Sequence, residues 1–151
     1  MSKNTISPTE WAAWRSFRRM SEVISGRIVH DISHATGLSS ADFVVLMELN
    51  RVDDACRRQR DLQAYLEWDK TRLSHQLTRM ARRNLIERDS DAENVVIIRM
   101  TPEGHQQLAA ASLVHTDSVR KNFLNHLSSD DLEKIEDVTR KLHRALKDLE
   151  S

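Results

Sequence analysis

Hydroxyls, an imidazole and arginines recur at helical spacing in the stretch RDLQAYLEWDKTRLSHQLTRMARRNLIER, residues 60–88. Leu73, Leu77 and Met80 fall at i, i+4 and i+7, one apolar stripe on a helix of 3.6-residue period, and that stripe must face a core. Thr71, His75, Thr78 and Arg82 then share the opposite face, flanked by Arg72, Ser74 and Arg79, with Lys70 at the helix start. Short hydroxyls and an imidazole can reach base edges in a major groove, while long basic side chains at the margins reach phosphates. An ordinary solvated helix interleaves acids with its arginines, but this face carries only Asp69, at its beginning. The pattern points to recognition of double-stranded DNA.

Charge along the chain supports that reading. Twenty-three Lys and Arg balance 23 Asp and Glu overall, which argues against a simple polybasic protein. Between residues 57 and 88, however, nine basic residues face four acids, so the segment carries +5 and the remainder −5. A basic band on an otherwise acidic protein is the footprint of a localised nucleic-acid surface.

The elements that must position this helix are legible from their caps. Three Gly and two Pro in 151 residues leave few turns, so the chain should be mainly α. Ser7-Pro8-Thr9-Glu10 opens a first helix that runs to about Ala35 and is ended by Gly37. Ser39 to Asp42 caps a second, with Phe43, Leu46, Met47 and Leu49 as its core positions, and residues 51–58 read as a polar connection. A third covers about Gln59 to Leu66, and Asp69 caps the basic fourth, to about Asn84. Leu85 to Arg88 and Val95 to Met100, rich in branched residues and separated by DSDAEN, predict a β-hairpin. Thr101-Pro102-Glu103 opens a fifth helix to about Leu124, and Ser128 to Asp131 caps a sixth. Helix, turn, helix and hairpin make a winged helix-turn-helix domain at residues 37–101, framed by a helical dimerisation region at 1–36 and 102–151. Arg88 and Arg99, at the strand ends, can add phosphate contacts.

The two ends pose a burial problem. The first helix carries Trp11 and Trp14, and the last repeats Leu132, Ile135, Val138, Leu142, Ala145, Leu146 and Leu149 at steps of three and four. Neither hides its apolar side alone, so a homodimer is expected, which also places two basic helices in successive major grooves. The single cysteine, Cys56, cannot form an internal disulfide. With no apolar run near the roughly 20 residues of a bilayer span and no signal-peptide core, the expected location is cytoplasmic, without membrane contact. Nothing pairs a nucleophile with a base or cradles a phosphate with glycines, so no enzyme is expected.

The order of helices, the phrase WDKTRLSHQLTRMARRNLIER, the MTPEG after the hairpin and the AAASLVHTDSVRKNFLNHLSSDDLEKI near the end together resemble the multiple-antibiotic-resistance regulator (MarR) family. The resemblance runs from about Thr9 to Leu149. It implies a homodimeric bacterial transcription regulator, usually a repressor, whose fourth helix enters the major groove and whose wing reaches the minor groove. It also implies a small organic effector, often phenolic, held between the dimerisation helices and the winged domain. Trp11, Trp14, Phe17 and Phe43 read first as dimer and domain core, and together with His115 they are the candidate wall of an apolar pocket; no cofactor is expected. The family's Asp-x-Arg at the wing tip is replaced by DSDAEN, without arginine. Acids there are repelled by DNA, which shifts the weight of binding to the fourth helix. Two alternatives stand beside this reading. His30 and His34, at i and i+4, share a helix face and can chelate zinc, with His105 and His115 on the fifth helix as further donors. Alternatively, a wing without its arginine suits an interaction module that has lost DNA binding.

Overall fold

The computed structural model describes residues 5–90 and 92–149, and of residues 148 and 149 the backbone only. Asp91, at the wing tip, and the side chain of Leu149, in the last apolar stripe, lie outside the described residues. Helix α1 (Pro8–Thr36) opens on a reciprocal capping box: the Glu10 N–H donates to Ser7 Oγ at 3.3 Å and the Ser7 N–H to Glu10 Oε2 at 2.7 Å. Gly37 closes it at φ 72°, a left-handed conformation that costs glycine nothing, with its N–H on the Ser33 carbonyl. Helix α2 (Ser40–Leu49) repeats the box with Ser39 and Asp42.

The buried stripe of α2 is Asp42, Val45, Leu46 and Leu49. Phe43 is half-buried and packs against the core, as expected, whereas Met47 is exposed, contrary to the sequence expectation. The reason is that an acid leads the stripe, so hydrophobicity alone rotates the inferred face. Glu48 is buried as well, 2.6 Å from the Arg57 guanidinium.

That ion pair belongs to a segment expected to be a polar connection. Cys56–Arg58 is instead a short strand, β1, antiparallel to a later strand, with Cys56 opposite Arg99 and Arg58 opposite Ile97. Ala55 precedes it at φ 45° and accepts a hydrogen bond from the Met100 N–H at 2.9 Å. Helices α3 (Gln59–Leu66) and α4 (Lys70–Arg82) follow, joined by a tight turn through Glu67 at φ 53°, and Asp69 caps α4 by accepting from the Arg72 N–H at 2.8 Å. Strands β2 (Ile86–Ser90) and β3 (Val96–Met100) form the predicted hairpin and, with β1, a three-stranded antiparallel sheet of order β1-β3-β2.

Thr101 caps helix α5 (Pro102–Asn122): its N–H donates to the Leu85 carbonyl, its hydroxyl to the Asn84 carbonyl, and its Oγ1 accepts from the Gly104 N–H. A Cβ on Gly104 would sit 2.2 Å from the Leu85 carbonyl oxygen, so this helix can lie against the wing only with glycine there. The helix ends two residues before the expected Leu124, and a 3-10 turn (Leu124–His126) leads into α6 (Ser129–Leu149). Leu46, Leu49, Leu62, Leu73, Leu77 and Ile98, all fully buried, form the centre of the core under α4 and the sheet. The first helix packs along α5, where the Ser118 hydroxyl donates to Asp31 at 2.6 Å and holds that carboxyl below the ordinary carboxylate range.

Candidate nucleic-acid interface

In α4 the apolar stripe read from the sequence is buried, with Gln76 joining Leu73, Leu77 and Met80. Lys70, Thr71, Arg72, His75, Arg79 and Arg82 are exposed, while Ser74 and Thr78 are half-buried. The Thr78 hydroxyl donates to the Ser74 carbonyl at 2.9 Å, along its own helix. The side chains of Thr71 and His75 make no hydrogen bond among the described residues and are the free polar groups at the centre of the face. The arginines are in different states. Arg72 lies over the half-buried Trp68 ring, 4.2 Å from its centroid, a cation–π contact that orders the guanidinium at the helix start. Arg79 donates to the Gln76 side-chain oxygen. Arg83, next to exposed Arg82, turns away and donates to Asp42 Oδ2 at 2.6 Å and to the Gly37 carbonyl at 3.0 Å.

Beside α4 runs a groove between the start of α3 and the wing. One part, about 500 Å³, is lined by Gln59, Ser74, Arg88 and Asp89. Another, about 310 Å³, is lined by Gln59, Arg60, Gln63 and Lys70. Gln59, Arg60 and Gln63 were not among the residues assigned from sequence; Arg60 belonged to the basic band, but only the packing of α3 against the wing brings it beside Lys70. Arg88 is in mid-strand, opposite Ile98, and its Nη2 donates to the Ser74 carbonyl at 2.8 Å, bracing the wing against α4. The register puts Arg99 at the base of the hairpin, between Cys56 and Glu87. The tip retains exposed Asp89 and Glu93.

The five residues expected to wall one effector pocket divide between two places. Phe43 and His115 approach ring to ring, 5.4 Å between centroids, in a cleft of about 270 Å³ between α1, α2 and α5 that Ile28, Ile32 and Val44 also line. Trp11, Trp14 and Phe17 lie near the start of α1, with 46%, 53% and 53% of their surfaces exposed. Phe17 lines a separate apolar groove of about 410 Å³ with Met20, Ile135, Val138, Leu142 and Leu146. The separation follows from the length of α1: at 1.5 Å per residue, Trp11 and Ile32 are roughly 30 Å apart along one rod. His30 and His34 stack with centroids 6.0 Å apart, both exposed, and His30 Nδ1 is 3.6 Å from Asp31 Oδ1. Among the described residues no three His, Cys, Asp or Glu side chains are grouped to hold a metal ion, and no helix is long and apolar enough to cross a membrane.

Two helices joined by a tight turn, the second amphipathic and basic, and a hairpin braced against it define a winged helix-turn-helix protein. No family model matches the sequence, and no curated protein is significantly similar to it. Solved structures do match. AbsC, a MarR family transcriptional regulator from Streptomyces coelicolor, superposes with a TM-score of 0.86 at 25% identity, over 96% of this chain and 99% of that one. Sco3205, a MarR family regulator from the same organism in complex with DNA, gives 0.86 at 18% identity, over 96% and 92%. A mutant of MarR from E. coli complexed with operator DNA gives 0.72 at 21%, over 85% and 91%. The fold of this chain is that of the MarR family of transcriptional regulators, as its central phrase implied.

Proposed function

We propose that this chain is a DNA-binding transcription regulator, not an enzyme, that acts in the cytoplasm as a homodimer on a pseudo-palindromic operator, most simply as a repressor. The observation that carries the reading is the exposed face of α4: free Thr71 and His75 at its centre, Arg72 and Arg82 at its margins, and the groove of Arg60 and Lys70 beside it. Central short side chains select sequence and marginal basic ones hold phosphate. The DNA complexes of Sco3205 and of E. coli MarR, which share the fold, support it.

The homodimer rests on apolar surface that the chain leaves uncovered. Trp14 on α1 and Val138, Leu142 and Leu146 on α6 are each more than half exposed, at 53%, 54%, 53% and 59%. Contiguous patches of this kind mark interaction surfaces, and a two-fold pairing also duplicates α4 at the spacing of about 10 base pairs that successive grooves require. The signal is an organic, largely apolar effector in the Phe43 and His115 cleft. It releases DNA because it binds better to a spacing of recognition helices that cannot span two grooves, and linkage requires DNA to weaken effector binding by the same factor.

The test is a duplex-selection and footprinting experiment with the purified protein, followed by titrations over a range of salt. Symmetric footprints with half-sites about 10 base pairs apart are expected. Arg72→Ala should weaken all sequences alike and lower the salt dependence, whereas Thr71 and His75 substitutions should change the preferred sequence. Failure to bind any duplex supports the interaction-module alternative. Release of DNA by zinc, abolished by His30→Ala or His34→Ala, replaces the organic effector with a metal.

A further inference from the structure

Gln76 is the one polar residue in the buried stripe of α4, 2% exposed, where an apolar side chain would complete the pattern of Leu73, Leu77 and Met80. Packing therefore gives no reason for an amide at this position, and a buried amide is costly unless both its ends are hydrogen-bonded. Both are. Its Nε2 donates to Asp42 Oδ1 at 2.6 Å, and its Oε1 accepts from Arg79 Nη2. The orientation of the amide is fixed by chemistry: an ionised carboxylate only accepts and a guanidinium only donates, so a flipped amide would face donor to donor and acceptor to acceptor. Asp42 is a firm anchor, itself 2% exposed, accepting from the Ser39 N–H and from Arg83 as well. Burial pushes its carboxyl up, but the Ser39 N–H and the Arg83 guanidinium outweigh that, and it stays below the ordinary carboxylate range. The chain of contacts thus runs from the start of α2, through the core, to an arginine on the exposed face of α4. One of the five N–H donors of Arg79 is used, and the rest remain for a ligand.

We propose that Gln76 is a positioning residue for DNA binding: held by Asp42, it fixes the direction in which Arg79 is presented to a phosphate, and the contribution of Arg79 to affinity depends on it. This rests on the DNA-binding reading above and adds to it a determinant that does not touch DNA. A long arginine ordered before binding loses less side-chain entropy on binding, about a fivefold gain per subunit and roughly 25-fold for a dimer on a full site.

The test is a double-mutant cycle on the duplex that the wild-type protein selects from a random pool, read by fluorescence anisotropy. Gln76→Met keeps the length of the side chain and removes both hydrogen bonds. It should weaken binding about 25-fold when Arg79 is present and less than about twofold in the Arg79→Ala background. Equal losses in the two backgrounds show that Gln76 acts through packing alone and overturn the proposal, as does no loss in the first. A second measurement needs neither DNA nor a variant, and so stands even where Gln76→Met does not fold. Nitrogen-15 relaxation of the Arg79 side chain in the free wild-type protein should give an order parameter near the rigid-backbone value of about 0.85, and a value below about 0.6 overturns the proposal. Wild-type protein that binds no duplex refutes the DNA-binding reading and this one together, whereas binding with an additive cycle refutes this one only.

Discussion

Replacing Asp42 with alanine removes a buried carboxylate that three donors share. The Ser39 N–H loses its reciprocal cap partner, the Gln76 amide loses its acceptor, and Arg83 loses its ion pair. The Ser39 hydroxyl still caps the backbone N–H at position 42, so only the reciprocal half of the capping box is lost, at about 1 kcal/mol. An amide left unpaired in the core costs about 2 kcal/mol. The Arg83 side chain is 44% exposed and re-enters water easily, so its pair adds only about 0.5 kcal/mol. The expected destabilisation is therefore about 3 to 4 kcal/mol per subunit. Asp42→Asn keeps one acceptor oxygen in place of two: with that oxygen on the Gln76 amide, its NH2 faces the Ser39 N–H and Arg83, so the capping-box bond and the ion pair are lost while the core amide stays paired, at a cost of about 1.5 kcal/mol. Asp131, whose side-chain hydrogen bonds among the described residues are to Ser128 alone, is the control: Asp131→Ala should lose only the reciprocal half of the α6 capping box and far less stability. Urea unfolding at one fixed chain concentration compares the variants, since the proposed dimerisation would make apparent stability concentration-dependent. The carboxyl of Asp42 is held below its ordinary value in the folded chain, so the stability it supplies is complete above the unfolded value, about 4, and is lost as pH falls through the lower folded value. Asp42→Asn should accordingly flatten the acid limb of stability below about pH 4. If Asp42→Ala costs no more than Asp42→Asn, or if the acid limb is unchanged, the buried carboxylate does not join α2 to α4 as argued.

Gly104→Ala forces a methyl to within 2.2 Å of the Leu85 carbonyl oxygen, which backbone cannot yield cheaply, and thermal unfolding should show a loss of about 3 kcal/mol. Leu142→Glu places a charge in the middle of the exposed stripe of α6 and should shift sedimentation from dimer to monomer while leaving helix content, by circular dichroism, unchanged. Neutralising Asp91 and Glu93 to Asn and Gln should leave DNA affinity unchanged or raise it modestly, in a manner that high salt suppresses; a large loss in anisotropy titrations would show that the wing tip contacts DNA or needs those charges for its own order.

The helix starts were legible in the sequence because capping is local. Ser7, Ser39, Asp69 and Thr101 each satisfy an N–H three residues on, and the same side chains write both the signal and the bond. The stripe of Leu73, Leu77 and Met80 was equally plain, because helical periodicity needs no partner to be seen, and it told which face of α4 is buried and which is left exposed. Tertiary structure decided everything that depends on residues far apart in the chain. Cys56–Arg58 becomes a strand only because β3 lies beside it and Glu48 waits, buried, for Arg57. Arg82 and Arg83 are indistinguishable as neighbours in a basic run, yet one faces solvent and the other is tied to Asp42, 41 positions away. Gln76 interrupts an apolar stripe with no local explanation until Asp42 is placed against it. The aromatic residues of α1 and Phe43 looked like one wall because composition carries no distance, and a rigid helix of 29 residues separates them. A side chain's type states what it can bond; only the path of the backbone states what it will find within reach.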